Sequence, residues 1–135
     1  MKKLNQNLKG LSLTEILVAL AIVGILLSLI LPNYAGNITK AKEMEAQLQL
    51  KQVFTLEKYY FNINSKYSGN LDDLDFIQEQ LVTEGGGANY KIEIVESSPS
   101  TFKARAVSVV DFDKDGIFNV WEIDHNQKIV RTVKD

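Results

Sequence analysis

The chain has 135 residues, 45% of them hydrophobic and 24% charged. That is one domain's length with an ordinary globular average, which excludes a disordered tail, a collagen-like repeat and a strongly basic nucleic-acid binder. The absence of cysteine excludes a disulfide framework, a thiolate zinc site, a cysteine nucleophile and a lipid-modified N-terminal Cys. The formal charge of −2 hides an asymmetry. Residues 1–31 carry Lys2, Lys3 and Lys9 against Glu15, whereas the remainder has 12 basic and 16 acidic side chains.

From Leu11 to Leu31 the chain reads LSLTEILVALAIVGILLSLIL, with Glu15 its only charge and Ser12, Thr14 and Ser28 its other polar side chains. At a rise of about 1.5 Å per residue, such a helix spans roughly 30 Å, the thickness of a bilayer's hydrocarbon core. It is apolar all round, which disfavours a soluble core helix with a polar stripe. The ten residues before it, MKKLNQNLKG, hold three lysines and no acid. This end is therefore expected to stay cytoplasmic, with the rest of the chain across the membrane. An ordinary signal peptide fits less well, because LPNYAG is a poor small-x-small cleavage site and the apolar run is long.

Glu15 is the oddity. A carboxylate inside an apolar helix is costly in lipid and calls for a partner or a function. It either snorkels to the headgroups or meets a positive charge. No Lys or Arg lies between Leu11 and Leu31, so that charge must come from another molecule or from a new amino terminus.

Gly10 followed by Leu-Ser-Leu-Thr-Glu15, behind a short Lys-rich leader and ahead of an uninterrupted apolar run, resembles the class III signal of type IV pilins and type II secretion pseudopilins. The resemblance implies that residues 1–10 are a leader. A prepilin peptidase would cut between Gly10 and Leu11 and methylate the Leu11 amine. It further implies that Glu15 pairs with the N-terminal amine of a neighbouring subunit. Partners would then be other copies and other pilins in a filament, the peptidase, the inner-membrane assembly machinery and, before assembly, lipid. Gly24 and Pro32 stand where the family places helix-weakening residues. Gly lowers helix propensity and Pro lacks the N–H that a helix interior needs. Leu11 departs from the family's usual Phe. The resemblance is confined to the start of the chain; beyond it the likeness is one of architecture.

From Asn33 to about Ile63 the pattern predicts a second, amphipathic stretch of helix. Ala46, Leu50, Val53, Phe54, Tyr60 and Ile63 form the apolar stripe, with Lys42, Glu43, Glu45, Gln49, Lys51 and Lys58 between them. Tyr59, Tyr60 and Phe61 read as core aromatics. Residues 64–89 read as a connecting region, with Asp72, Asp73 and Asp75 capping a short helix at 71–81. Gly85-Gly86-Gly87 lacks the Lys-Ser/Thr of a phosphate loop and precedes a strand-like run; it reads as a flexible loop.

Strands are expected at Tyr90–Glu96, Phe102–Val110, Ile117–Ile123 and Lys128–Val133. Trp121 reads as core and His125 as an exposed turn residue. The fold class is therefore α+β, a helix packed on an antiparallel sheet of about four strands. Asp111-Phe-Asp113-Lys-Asp115-Gly116, extended to Glu122, matches the calcium-loop pattern D-x-[DN]-x-[DN]-G-x5-E. Hard Ca²⁺ takes six to eight oxygens, which alternate Asp side chains and the Ile117 carbonyl could help supply. Strand-like flanks argue against Glu122 as a ligand. Extended, it would stand on the order of 20 Å beyond Gly116. The alternative is a solvated, Asp-rich turn.

Three functions follow. The first is a structural subunit of a type IV pilus or pilus-like filament, held in the inner membrane with its head outside the cytoplasm. A secretion pseudopilin is its close alternative. The second is a single-pass anchored calcium-binding module that never polymerises. The third, an enzyme, has no Ser/His/Asp set, no HExxH and no phosphate loop to support it. An acidic head also argues against specific nucleic-acid binding.

Overall fold

The computed structural model describes residues 10–134, and for residues 31–35 and 37 the backbone alone. Apart from Gly10, the expected leader lies outside the described residues. The elements in order are a helix α1 (Leu13–Asn64), two single turns of 3₁₀ helix, and strands β1 (Tyr90–Ser97), β2 (Phe102–Ser108), β3 (Val120–Asp124) and β4 (Ile129–Val133). The α+β class is as expected. The chain divides into two compact units, Met1–Ile38 and Thr39–Asp135.

In the first unit α1 runs without a break through Gly24 and Pro32. Its window Leu13–Ile30 has a mean hydropathy of 2.6 and none of it is buried. By length and composition it can cross a membrane. Ser28 donates its hydroxyl to the Ile25 carbonyl at 2.8 Å, so this polar group is satisfied within the helix.

In the second unit, α1 buries Ala46, Leu50, Val53 and Glu57 completely. Those four share one face of a 3.6-residue period. The strands form one antiparallel meander in the order β1-β2-β3-β4. On β2, Phe102, Ala104, Ala106 and Ser108 are buried and alternate with half-buried residues, the period-2 pattern of a sheet covered on one face. Small Ala104 and Ala106 join Ala46, Leu50 and Val53 in one core cluster with the larger Tyr90, Ile92, Phe102 and Ile123. An aromatic group closes one end, with Tyr67 ring-centred 4.9 Å from Phe102 and 4.7 Å from Phe61. The other face carries cross-strand charge rows. Arg105 registers with Glu93 and Glu122, and Lys103 with Glu96 and Asp124.

Several expectations need correction. Tyr59 and Ile63 are 66% and 63% exposed, because they fall off the face set by 46, 50, 53 and 57. Residues 71–81 hold a single 3₁₀ turn, Asp72–Leu74. Asp75 then turns left-handed (φ 52°) and ends it. The aspartates do not cap it either: Asn70 Oδ1 accepts the Asp72 N–H at 3.1 Å, and Asp73 instead accepts the Ser68 hydroxyl at 3.0 Å. The second strand stops at Ser108 and the third starts at Val120. His125 is half-buried and donates its backbone N–H to the Phe102 carbonyl at 3.2 Å.

The Gly85–Gly87 run is a built turn. Gly85 has φ +86°, and a Cβ on Gly86 would stand 1.9 Å from the Gln80 carbonyl oxygen. The Gly86 N–H donates to Leu81 O at 2.9 Å and the Ala88 N–H to Gln80 O at 3.1 Å. We expect Gly86→Ala to force these backbones apart and destabilise the head by about 1–3 kcal/mol, the usual cost of overpacking. Its melting temperature should fall accordingly, while Gly87→Ala, with open space around it, should have a much smaller effect.

Candidate functional site

The described chain begins with Gly10, Leu11 and Ser12, which precede the helix. Gly10 and Leu11 are exposed, Leu11 at 77%, so the bond between them stands clear of any regular element. Glu15 lies in the first turn of α1. Its Oε2 accepts the Ser12 backbone N–H at 2.7 Å, and its own N–H donates to Ser12 Oγ at 3.3 Å. This is a capping box with Ser12 at the N-cap and Glu15 three residues on, satisfying two N–H groups that a helix start otherwise leaves open. The sequence reading found Glu15 but not its local partner. The signal was present as the S-x-x-E spacing ahead of an apolar run.

The Asp-rich loop joins β2 to β3. Carboxylate oxygens of Asp111, Asp113 and Asp115 lie within 4.8 Å of one another. Asp111 Oδ2 accepts the Gly116 N–H at 2.8 Å, and Asp115 Oδ1 accepts the Ile117 N–H at 2.7 Å. Lys114 and Gly116 adopt positive φ, 67° and 87°, which is how so short a segment curls three carboxylates inward. Glu122 is not with them. It sits on β3 with its carboxylate 2.7 Å from the Arg105 guanidinium.

Three further glutamates of α1 hold the head together, and the sequence reading missed them because it placed Glu43 and Glu45 on the solvent side. Glu43 accepts from Asn119 Nδ2 at 3.2 Å and from the Arg131 guanidinium at 2.5 Å. Glu45 takes both the backbone N–H and the side-chain amide of Asn89, each at 2.7 Å. Charge-assisted bonds of this kind are worth more than neutral ones. Glu57, wholly buried, accepts the Ser68 N–H at 2.9 Å through one oxygen.

Comparison with known proteins bears on the helix start. Residues 5–31 match the family described as the prokaryotic N-terminal methylation motif. A relative, the type IV major pilin protein PilA of Myxococcus xanthus (strain DK1622), is 30% identical over 78 residues, 58% of this chain. The N-terminal segment is thus similar to that methylation motif, and part of the chain is similar to a type IV major pilin. The chain spans about a third of the length of that curated relative, 36%. Gly10, Leu11 and Glu15 lie within the matched residues. The Asp-rich loop and the three head glutamates lie beyond the matched motif.

Glu57 gives the head a measurable signature. Burial pushes its carboxyl above the ordinary 4.5, against the opposing pull of the Ser68 N–H. An acid whose pKa is higher folded than unfolded stabilises the fold fully below its unfolded pKa, and that contribution is lost as pH rises through the folded value. We expect Glu57→Gln, which keeps an acceptor for Ser68, to melt above the wild type at neutral pH. The gap should close as pH falls toward 4.5, as read by thermal melts of the full chain in detergent.

Proposed function

We propose that this chain is a structural subunit of a type IV pilus or pilus-like filament. It is stored as a single-pass protein of the inner membrane with its head outside the cytoplasm, cut after Gly10 and methylated on Leu11 by a prepilin peptidase. The observation that carries this is a carboxylate, Glu15, at the start of a fully exposed apolar helix, directly after an exposed Gly-Leu bond within the methylation motif. The mechanism is assembly. Apolar helices leave lipid and bundle with those of other copies, and the Leu11 amine of one copy neutralises Glu15 of another in a medium where an unpaired charge is costly. The relative's description as a major pilin favours a pilus over a secretion pseudopilus. Its role is structural rather than enzymatic.

The intact mass and N-terminal sequence of the protein from cells test this directly. We expect a chain beginning at methyl-leucine 11, and Glu15→Ala should be processed yet yield no filaments. A mature protein that keeps Met1, or normal fibres from Glu15→Ala, would end the reading.

The proposal extends to Ca²⁺ on Asp111, Asp113, Asp115 and the Ile117 carbonyl. It is supported by the D-x-D-x-D-G spacing and by the crowding of the three carboxylates, which repel unless a cation joins them. Binding to the folded state alone raises its stability. Chelation should therefore lower the melting temperature of the full chain in detergent, with recovery on added Ca²⁺. An unchanged transition would remove calcium from the account and leave the pilin reading intact.

A further inference from the structure

The sheet ends in two edge strands, β1 and β4. An edge strand turns a row of N–H and C=O groups away from its own sheet, where a strand of another chain can pair with them. β1 is the longer edge, eight residues against five. Its register with β2 is regular from Tyr90 to Ile94 and shifts before Glu96, a bulge that bends the far end out of line. The stretch from 90 to 94 is therefore where a further strand would lie.

Gln78 occupies that stretch. It belongs to the segment between buried Phe76 and buried Leu81, next to Ile77, which is 83% exposed. Its Oε1 accepts the Ile92 N–H at 2.9 Å, and its Nε2 donates to the Tyr90 and Glu79 carbonyls, each at 3.1 Å. A side-chain amide carries the same donor and acceptor as a peptide group, so Gln78 satisfies on β1 what a fifth strand would satisfy. A carboxylate in its place would serve the N–H but not the carbonyl.

The residues of β1 indicate what would come in if Gln78 let go. Antiparallel pairing with β1 of a second copy, centred on Ile92, sets Tyr90 opposite Ile94 and Lys91 opposite Glu93 on both sides of the twofold axis. Ile92 then exchanges both backbone bonds with its own counterpart, and the Lys91–Glu93 pairs fall at non-hydrogen-bonded sites, where side chains come closest. Lys91 is exposed and Glu93 half-buried. Unlike charges directly opposite each other favour such a pairing.

We infer that the 90–94 edge of β1 is a latent pairing site for β1 of a second copy, and that Gln78 holds it closed. The pair is twofold and closes on itself, whereas an open filament grows through head-to-tail contacts between unlike patches. Gln78 thus guards the head against a dead-end dimer. Neither part depends on the filament reading.

The chain has no cysteine, so introduced ones report the pairing. Lys91→Cys and Glu93→Cys are made separately in the full chain, each with Gln78 kept and with Gln78→Ala. In the inferred register, residues 91 and 93 of two copies stand about 4.5 Å apart at Cα, within disulfide reach, and a mixed pair keeps one Lys91–Glu93 contact. Oxidised in detergent, a mixture of the two Gln78→Ala chains should give a disulfide-linked dimer on non-reducing gels, and each chain alone little. The mixture with Gln78 kept should give about tenfold less, the effect of two hydrogen bonds of ordinary strength. A Gln78→Ala mixture without linked dimer would remove the pairing site, and equal yields with and without Gln78 would remove the guard. Single chains that link as readily as the mixture would overturn the register and the inference with it. Should Gln78→Ala not melt cooperatively, Gln78→Met, which keeps the length without the amide, takes its place. If that variant also fails to fold, Gln78 is a stabilising residue rather than a guard and the inference fails.

Discussion

A carboxylate placed on a helix must find donors wherever water is scarce, and α1 meets that demand four times in four ways. Glu15 turns back onto the amide of Ser12. Glu43 reaches Asn119 and Arg131, and Glu45 clamps both amides of Asn89. Glu57 receives a single N–H from Ser68. Desolvating a carboxylate is unfavourable in each setting, so the donors determine what each glutamate can do. The first serves the helix start. The others tie the helix to particular residues of the sheet and its loops, giving the apolar packing a direction that burial alone does not supply.

The head follows from that arrangement. Ala46, Leu50 and Val53 share one core with Ala104 and Ala106 of β2, where small apolar side chains give little specificity of register. Polar ties on either side of this contact define the register instead. Glu45 and Glu43 act near the start of the buried face, and Glu57 near its end. Glu57 is the strained member of the set, with its second oxygen buried and unpartnered, and its raised pKa is the measurable trace of that strain. The charge rows on the opposite sheet face are screened by water at Glu93 and Glu96, whereas Glu122 is as covered as Glu43. They do oppose unlike charges across neighbouring strands, which penalises a slipped register.

Within the first unit the physics is simpler. All-round apolar exposure of residues 13–30 suits hydrocarbon or the interior of a helix bundle, and the backbone is satisfied by the helix itself. Only the start of the helix has unsatisfied donors. This is where the sequence puts its polar cluster of Ser12, Thr14 and Glu15, and the same three residues adjoin the bond that the proposed processing would cut.

The amphipathic span, the Gly10–Glu15 signal, the α+β class and the Asp-rich loop were legible in the sequence because each is a local property. Hydropathy, spacing and turn chemistry involve residues that are neighbours along the chain. The capping box was legible too, had the S-x-x-E spacing been weighed as well as the missing positive charge. What could not be read was the fate of Glu43, Glu45 and Glu57. A glutamate on a predicted helix looks solvent-facing until the sheet that brings Asn89, Asn119, Arg131 and Ser68 to it is in place. The exposure of Tyr59 and Ile63 and the tight turn at Gly86 were hidden for the same reason. Each depends on the phase of the helix against the sheet, or on backbone approach between Gln80 and Gly86. Composition and periodicity thus determined the long helix, the four strand regions and the apolar end, and tertiary structure alone decided which polar groups are buried, because burial is a property of the pair and not of the residue.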